Sequence, residues 1–129
     1  MLRIALVAHD EKKPEIIEFA KTYHDILSQC QLTGTGTTGK LIQQHTGLQV
    51  NAVLSGPIGG DQQIGSLVAT HKLDMIIFLR DPLTAQAHEP DIAALLRVCD
   101  VHNVPLATNR KSAEILMMYV KQHLEGGEK

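Results

Sequence analysis

The stretch RIALVAHDEKKPEIIEFAKTYHDILS, Arg3–Ser28, decides the fold. It opens on the apolar run Arg3–Ala8, which reads as a strand covered on both faces, because a half-exposed strand would alternate apolar and polar residues. After a polar break comes Pro14–Ser28, where Ile16, Ile17, Phe19, Ala20, Tyr23, Ile26 and Leu27 gather on one face of a helix. Pro14 suits the first turn, where its missing N–H is not needed.

The same order repeats along the chain. Strands are expected at Gln29–Thr33, Gln49–Leu54, Leu73–Leu79 and Val104–Thr108. Helices are expected at Thr38–His45, stopped by Gly47, and at Asp61–His71, Pro90–Val101 and Ser112–Leu124. Five strand–helix units joined by short connections imply one α/β domain over residues 1–129. Its expected core is an open five-stranded parallel sheet with right-handed crossovers and helices on both faces. The strand order is not readable at this level.

Bulk composition agrees and excludes several classes. A chain of 129 residues can bury roughly two-thirds of its unfolded surface in one core. Aromatics make up only 3% and Trp is absent, so the core is aliphatic. A formal charge of −2 offers no electrostatic footprint for nucleic acid or an anionic membrane. No stretch approaches the roughly 20 apolar residues of a membrane span. The run after Arg3 is too short for a secretion signal, so a cytoplasmic protein is expected. Cys30 and Cys99 stand in apolar surroundings without disulfide or zinc spacing and read as reduced core thiols.

In such a sheet ligands bind beyond the carboxyl ends of the strands. The residues there are polar and glycine-rich: His9, Asp10 and Lys13; GTGTTG at Gly34–Gly39; SGPIGGDQQ at Ser55–Gln63; and RDPLTAQAHEPD at Arg80–Asp91. GTGTTG satisfies the dinucleotide fingerprint, but Ser55 stands where the following strand should offer an acid to the ribose. With Lys40 it also approaches a P-loop, but Leu41 replaces the hydroxyl that would ligate magnesium. What remains is a glycine turn at a helix N-terminus, with Thr35, Thr37 and Thr38 adding hydroxyls, suited to a small terminal phosphate. The plainer alternative is a glycine turn with a threonine cap.

Lys13 is placed to supply a positive charge to that phosphate, with Lys12 as its rival. Asp61 opens a helix, where an aspartate ordinarily serves as N-cap and is held ionised by the helix dipole. A role as general base therefore requires burial, or a neighbouring acid such as Asp10, Asp81 or Asp91. His88 and His9 are candidates to polarise a carbonyl or carry a proton. His24, His45, His71, His102 and His123 fall in or at the ends of helical patterns and read as surface residues. No histidine spacing supports a metal site.

Taken in order, VAHD, GTGTTG, LSGPIGGDQQIG, FLRDPL, HEPD and VPLATN closely resemble the methylglyoxal synthase family over about Arg3–Asn109. The resemblance implies a Rossmann-like (flavodoxin-like) domain, assembling as a homohexamer. It implies a lyase needing neither metal nor cofactor, which converts dihydroxyacetone phosphate to methylglyoxal and inorganic phosphate. Carried over motif by motif, the family's base falls on Asp61 and its histidines on His9 and His88. Its supporting carboxylates fall on Asp10, Asp81 and Asp91, and its phosphate-binding positions on Lys13, Thr35, Gly36, Thr37, Thr38, Ser55 and Gly56. Arg80 and Glu89 stand where the family also uses an aromatic and an aspartate, and Arg80 adds a second cation near the site.

On this reading Asp61 removes a proton from the hydroxymethyl carbon, and His88 donates to the oxygen of the resulting enediolate. Two other classes compete. A non-catalytic regulatory module of the same fold would keep the threonine cradle but has no use for Asp61 with both histidines. A phosphorelay receiver would need an aspartate where Ser55 ends the third strand, and a lysine near Thr108.

Overall fold

The computed structural model describes residues 1–126. Five parallel strands form one sheet: β1 (Arg3–Ala8), β2 (Gln31–Gly34), β3 (Asn51–Ala52), β4 (Met75–Leu79) and β5 (Leu106–Ala107). Their order is β3-β2-β1-β4-β5. Between and after them lie α1 (Lys13–Thr22), α2 (His24–Leu27), α3 (Gly36–Thr46), α4 (Gly60–Ala69), α5 (Glu89–Val101) and α6 (Arg110–Glu125). No helix among the described residues is long and apolar enough to cross a membrane.

Both central strands are covered on both faces, as their unbroken apolar runs require. Ile4, Leu6, Met75, Ile77 and Leu79 pack with Ile16 and Phe19 of α1, Ile42 of α3, and Met117 and Val120 of α6. Ala5, Val7, Ile76 and Phe78 point the other way, onto Ile64 and Val68 of α4 and Ile92 and Leu95 of α5. Each fully buried Ile, Leu or Phe contributes about 1.5–3 kcal/mol through apolar burial. Cys30 and Cys99 are buried in clusters on opposite faces, so no bridge links them.

The edges depart from the expected bounds. Expected over Gln49–Leu54, the third strand pairs only through Asn51 and Ala52, both exposed. Leu48 and Val50 have already turned into the core, and an edge strand has one partner to hold its ends. On the opposite edge the fifth strand shortens likewise to Leu106–Ala107. The first helix breaks at Tyr23 (φ −105°, ψ 25°), so one expected helix becomes α1 and α2. Thr22, Tyr23 and His24, all modest helix formers, lie at the break, and Tyr23 turns its ring to Phe19 at 4.8 Å between centroids.

Other termini follow their sequence signals. Gly47 closes α3 in the left-handed conformation (φ 76°) and donates its N–H to Gln43 O at 3.0 Å. Asn109 caps α6 by accepting the Ser112 N–H at 2.9 Å. At the amino end of the sheet, Asp74 accepts from Arg3 N at 2.7 Å and Nε at 3.2 Å, fastening β4 to β1.

From β1 the chain winds outward through β2 and β3, then returns across the sheet to β4 and β5. The direction of winding therefore reverses between β1 and β4, and a crevice opens above their carboxyl ends.

Candidate active site

A cleft of about 190 Å³ occupies that crevice. His9, Asp10, Lys13, Thr35, Thr37, Thr38, Ser55, Gly56, Asp61 and His88 all line it. Drug-sized ligands occupy roughly 300–1,000 Å³, so this volume suits a much smaller molecule. The glycine run follows β2, whereas a dinucleotide fingerprint belongs after β1.

One end of the cleft is built for an anion. Thr35 precedes α3 in extended conformation (φ −65°, ψ 152°), leaving the helix's first N–H groups without intrahelical acceptors. Thr35 and Thr38 are buried, and the Thr37 and Ser55 hydroxyls lie 3.4 Å apart. Gly36 sits behind them, where a Cβ would come within 3.1 Å of Ser55 Oγ and Val53 O. Lys13 Nζ donates to Ala8 O and Asp10 Oδ1, both at 2.9 Å, which aims the ammonium at the cleft with a third donor in hand. Lys12 instead pairs with Glu15.

Asp61 stands apart from this end. It lies in the first turn of α4, while Gly59 (φ 110°) occupies the N-cap position, so the ordinary capping role is not the one it plays. The residue is only 1% exposed, and neither carboxylate oxygen has a hydrogen-bond partner. Burial raises its pKa, opposed by His88 and reinforced by the charge of Asp91. Desolvation therefore outweighs His88, which alone would keep this carboxyl acidic.

Three glycines make the arrangement sterically feasible. A Cβ on Gly60 would come within 2.0 Å of Leu54 O, and Gly59 adopts a left-handed φ. At Gly56 a Cβ would meet His88 Nε2 at 3.0 Å and Asp61 Oδ1 at 3.2 Å. These glycines bring the loop before α4 under the histidine.

His88 precedes α5, accepts the Asp91 and Ile92 N–H groups on its carbonyl, and places Nε2 3.5 Å from Asp61 Oδ2. His9 ends β1, with its ring edge-on to Phe78 at 5.2 Å and to His88 at 5.8 Å. The Asp81 N–H donates to His9 Nδ1 at 2.8 Å. In neutral His9 the proton therefore sits on Nε2, a buried donor without a protein partner. Burial lowers the His9 pKa, and His88 and Arg80 lower it further.

The supporting carboxylates separate by environment. Asp10 is almost fully exposed and its pKa is lowered by its hydrogen bond to Lys13, so it orients the lysine. Asp81 and Asp91 do not line the cleft. Asp81 is held ionised by Thr84 and by the Leu83 N–H, and reaches the site through its own backbone N–H. Asp91 accepts from Gln62 Nε2 at 3.0 Å. Two contributors escaped the sequence reading. Gln86 lines the cleft from the loop before α5 and Gln62 engages Asp91, although both lay in quoted motifs rich in polar residues. Among the described residues no group of His, Cys, Asp and Glu side chains is placed to hold a metal ion.

Known proteins share this arrangement of sequence and fold. The family model described as MGS-like domain matches residues 15–108. A methylglyoxal synthase of Caldicellulosiruptor saccharolyticus is 63% identical over 116 residues, covering 90% of this chain and 82% of that protein. One from Clostridium perfringens is 62% identical over 116 residues, covering 90% of this chain and 98% of its own length. The crystal structure of methylglyoxal synthase from Elizabethkingia anophelis superposes with a TM-score of 0.85 at 43% identity, covering 90% of this chain and 76% of that one. By matched length and identity alike, the chain belongs to the methylglyoxal synthase family.

Proposed function

We propose that the protein is a methylglyoxal synthase, a lyase that eliminates phosphate from dihydroxyacetone phosphate. The observation that carries this reading is Asp61, buried without a hydrogen bond in the same small cleft as the threonine and lysine cradle. A carboxylate raised in pKa and held by no hydrogen bond is a usable base. An isolated anion cradle would have no need of one.

The phosphate lies among Thr35, Thr37, Thr38, Ser55 and the backbone at Gly36 and Gly56, with Lys13 supplying positive charge; the Gly36 N–H itself is given to Leu54 O at 3.2 Å, which fixes the cradle rather than the anion. Asp61 takes a proton from the hydroxymethyl carbon, and the carbonyl oxygen becomes an enediolate oxygen. Nε2–H of His9, fixed in its tautomer by the Asp81 N–H, donates to that oxygen together with His88.

Elimination follows when the phosphate C–O bond stands perpendicular to the enediolate plane. The enediolate electrons then move into a new carbon–carbon double bond as the C–O bond breaks. The hydroxyl on the first carbon loses its proton to the departing phosphate and becomes the aldehyde. The enolate so released takes up one proton on its terminal carbon, balancing the one that Asp61 removed, to give methylglyoxal. No redox change occurs, and no cofactor is called for.

In this proposal residues 1–129 work as one domain, in the cytoplasm, within a homohexamer. Incubation of the EDTA-treated protein with dihydroxyacetone phosphate tests the chemistry, with methylglyoxal and phosphate followed beside an Asp61→Asn sample. Equal release of both products by the unmodified protein alone is the expected result. Absence of turnover with phosphate still bound would favour a regulatory module instead. A sedimentation mass other than six chains would overturn the hexamer.

A further inference from the structure

The two glutamines that follow Asp61 fasten the segments around it. Gln63 Oε1 accepts the Leu54 N–H at 2.7 Å, tying α4 to the loop that carries Ser55 and Gly56. Gln62 Nε2 donates to Asp91 Oδ1 at 3.0 Å, tying α4 to the first turn of α5. A carboxylate only accepts, so the amide orientation of Gln62 is determined by its partner.

We propose that Gln62 is a positioning residue that holds the Asp91 carboxylate beside the N-terminus of α4 and hence beside Asp61. Released from Gln62, Asp91 would be free to turn towards water, because the N–H groups at the start of its own helix are already given to Gln86 O and His88 O. Held in place, its negative charge opposes ionisation of Asp61, adding to the effect of burial and strengthening the base.

Several charged or titratable groups surround this pair. From the N-cap and first residue of α5 come His88, 3.5 Å from Asp61, and Glu89, which lies 3.9 Å from Arg80. His9 stands against His88 from the end of β1, and Lys13 enters the same cleft from the start of α1. Asp91 is the group among these that Gln62 engages.

The proposal rests on Asp61 acting as base, and the test separates the two claims. Gln62 is exposed, so Gln62→Met removes the amide without disturbing the core. The expected result is an acid limb of the kcat/KM–pH profile displaced to lower pH. The turnover number should fall about three- to tenfold as the base weakens, with inhibition by inorganic phosphate unchanged. Asp91→Asn should displace the limb in the same direction, and adding Gln62→Met to it should move the limb no further. An unmoved limb in Gln62→Met, or an added displacement in the double variant, overturns the positioning role. Retained turnover in Asp61→Asn would instead overturn the assignment of the base.

Discussion

Asp61 Oδ2 and His88 Nε2 lie 3.5 Å apart, both residues buried, with no hydrogen bond satisfying either carboxylate oxygen. This proximity opposes the effect of burial without cancelling it, because the pKa of Asp61 remains raised. A carboxyl whose pKa is higher in the folded than in the unfolded state opposes folding once it ionises.

Asp61→Asn should therefore trade activity for stability. Turnover should fall by about 10²–10⁴-fold, the usual contribution of a positioned acid or base. The variant should also be harder to unfold at neutral pH than the unmodified protein, with a higher Tm, because it carries no charge to desolvate. The sign fixes the pH window. The penalty is absent below the unfolded carboxyl pKa, grows as pH rises through the folded value, and is complete above it. Thermal melts across that range check it, and a constant gap would contradict the linkage.

Gly56→Ala tests the crowding at the site. Its Cβ would come within 3.0 Å of His88 Nε2 and 3.2 Å of Asp61 Oδ1, so the ring or carboxylate must move by a few tenths of an ångström. Turnover should drop about tenfold or more, in keeping with the sensitivity of catalysis to displacement. Melting should change little, since Gly56 has no positive φ.

Lys13→Met should weaken binding of inorganic phosphate by about 1.5–3 kcal/mol, the range for hydrogen bonds to charged groups. Asp10→Asn should cost less, because Ala8 O still holds the ammonium. Calorimetric titration with phosphate measures both, and equal losses would contradict a purely orienting role for Asp10.

The His9 ring should remain neutral with its proton on Nε2 at pH 7. Burial and the neighbouring His88 and Arg80 lower its pKa, so protonation opposes folding as pH falls below the unfolded histidine value. Nitrogen-15 spectra of the imidazole distinguish the tautomers, and a proton on Nδ1 would contradict the bond from Asp81 N–H.

Asp74→Ala should destabilise the sheet by about 1–2 kcal/mol through loss of the bonds from Arg3. Burial pushes the Asp74 carboxyl up, but those bonds and the Arg3 charge together leave its pKa lowered. Its contribution is thus present above the unfolded carboxyl pKa and is lost as pH falls through the folded one. Urea midpoints should converge for the two proteins in acid.

Much of the architecture was legible in local pattern. The unbroken apolar runs Arg3–Ala8 and Leu73–Leu79 announce strands covered on both faces, because burial of both faces leaves no position for a polar residue. The loops after the first four strands hold nearly every polar side chain that lines the cleft, since a parallel sheet places its ligands at one edge. Tertiary contact decided the rest. The order β3-β2-β1-β4-β5, and the shortening of both edge strands, depend on which strands pair across the sheet. Helix position alone made Asp61 a cap held ionised, whereas desolvation by residues distant in sequence raises its pKa. The His9 tautomer is chosen by a backbone N–H 72 residues away. Local sequence dictates backbone preference and the face a side chain takes; its protonation state depends on solvent exclusion and on partners that only folding brings near.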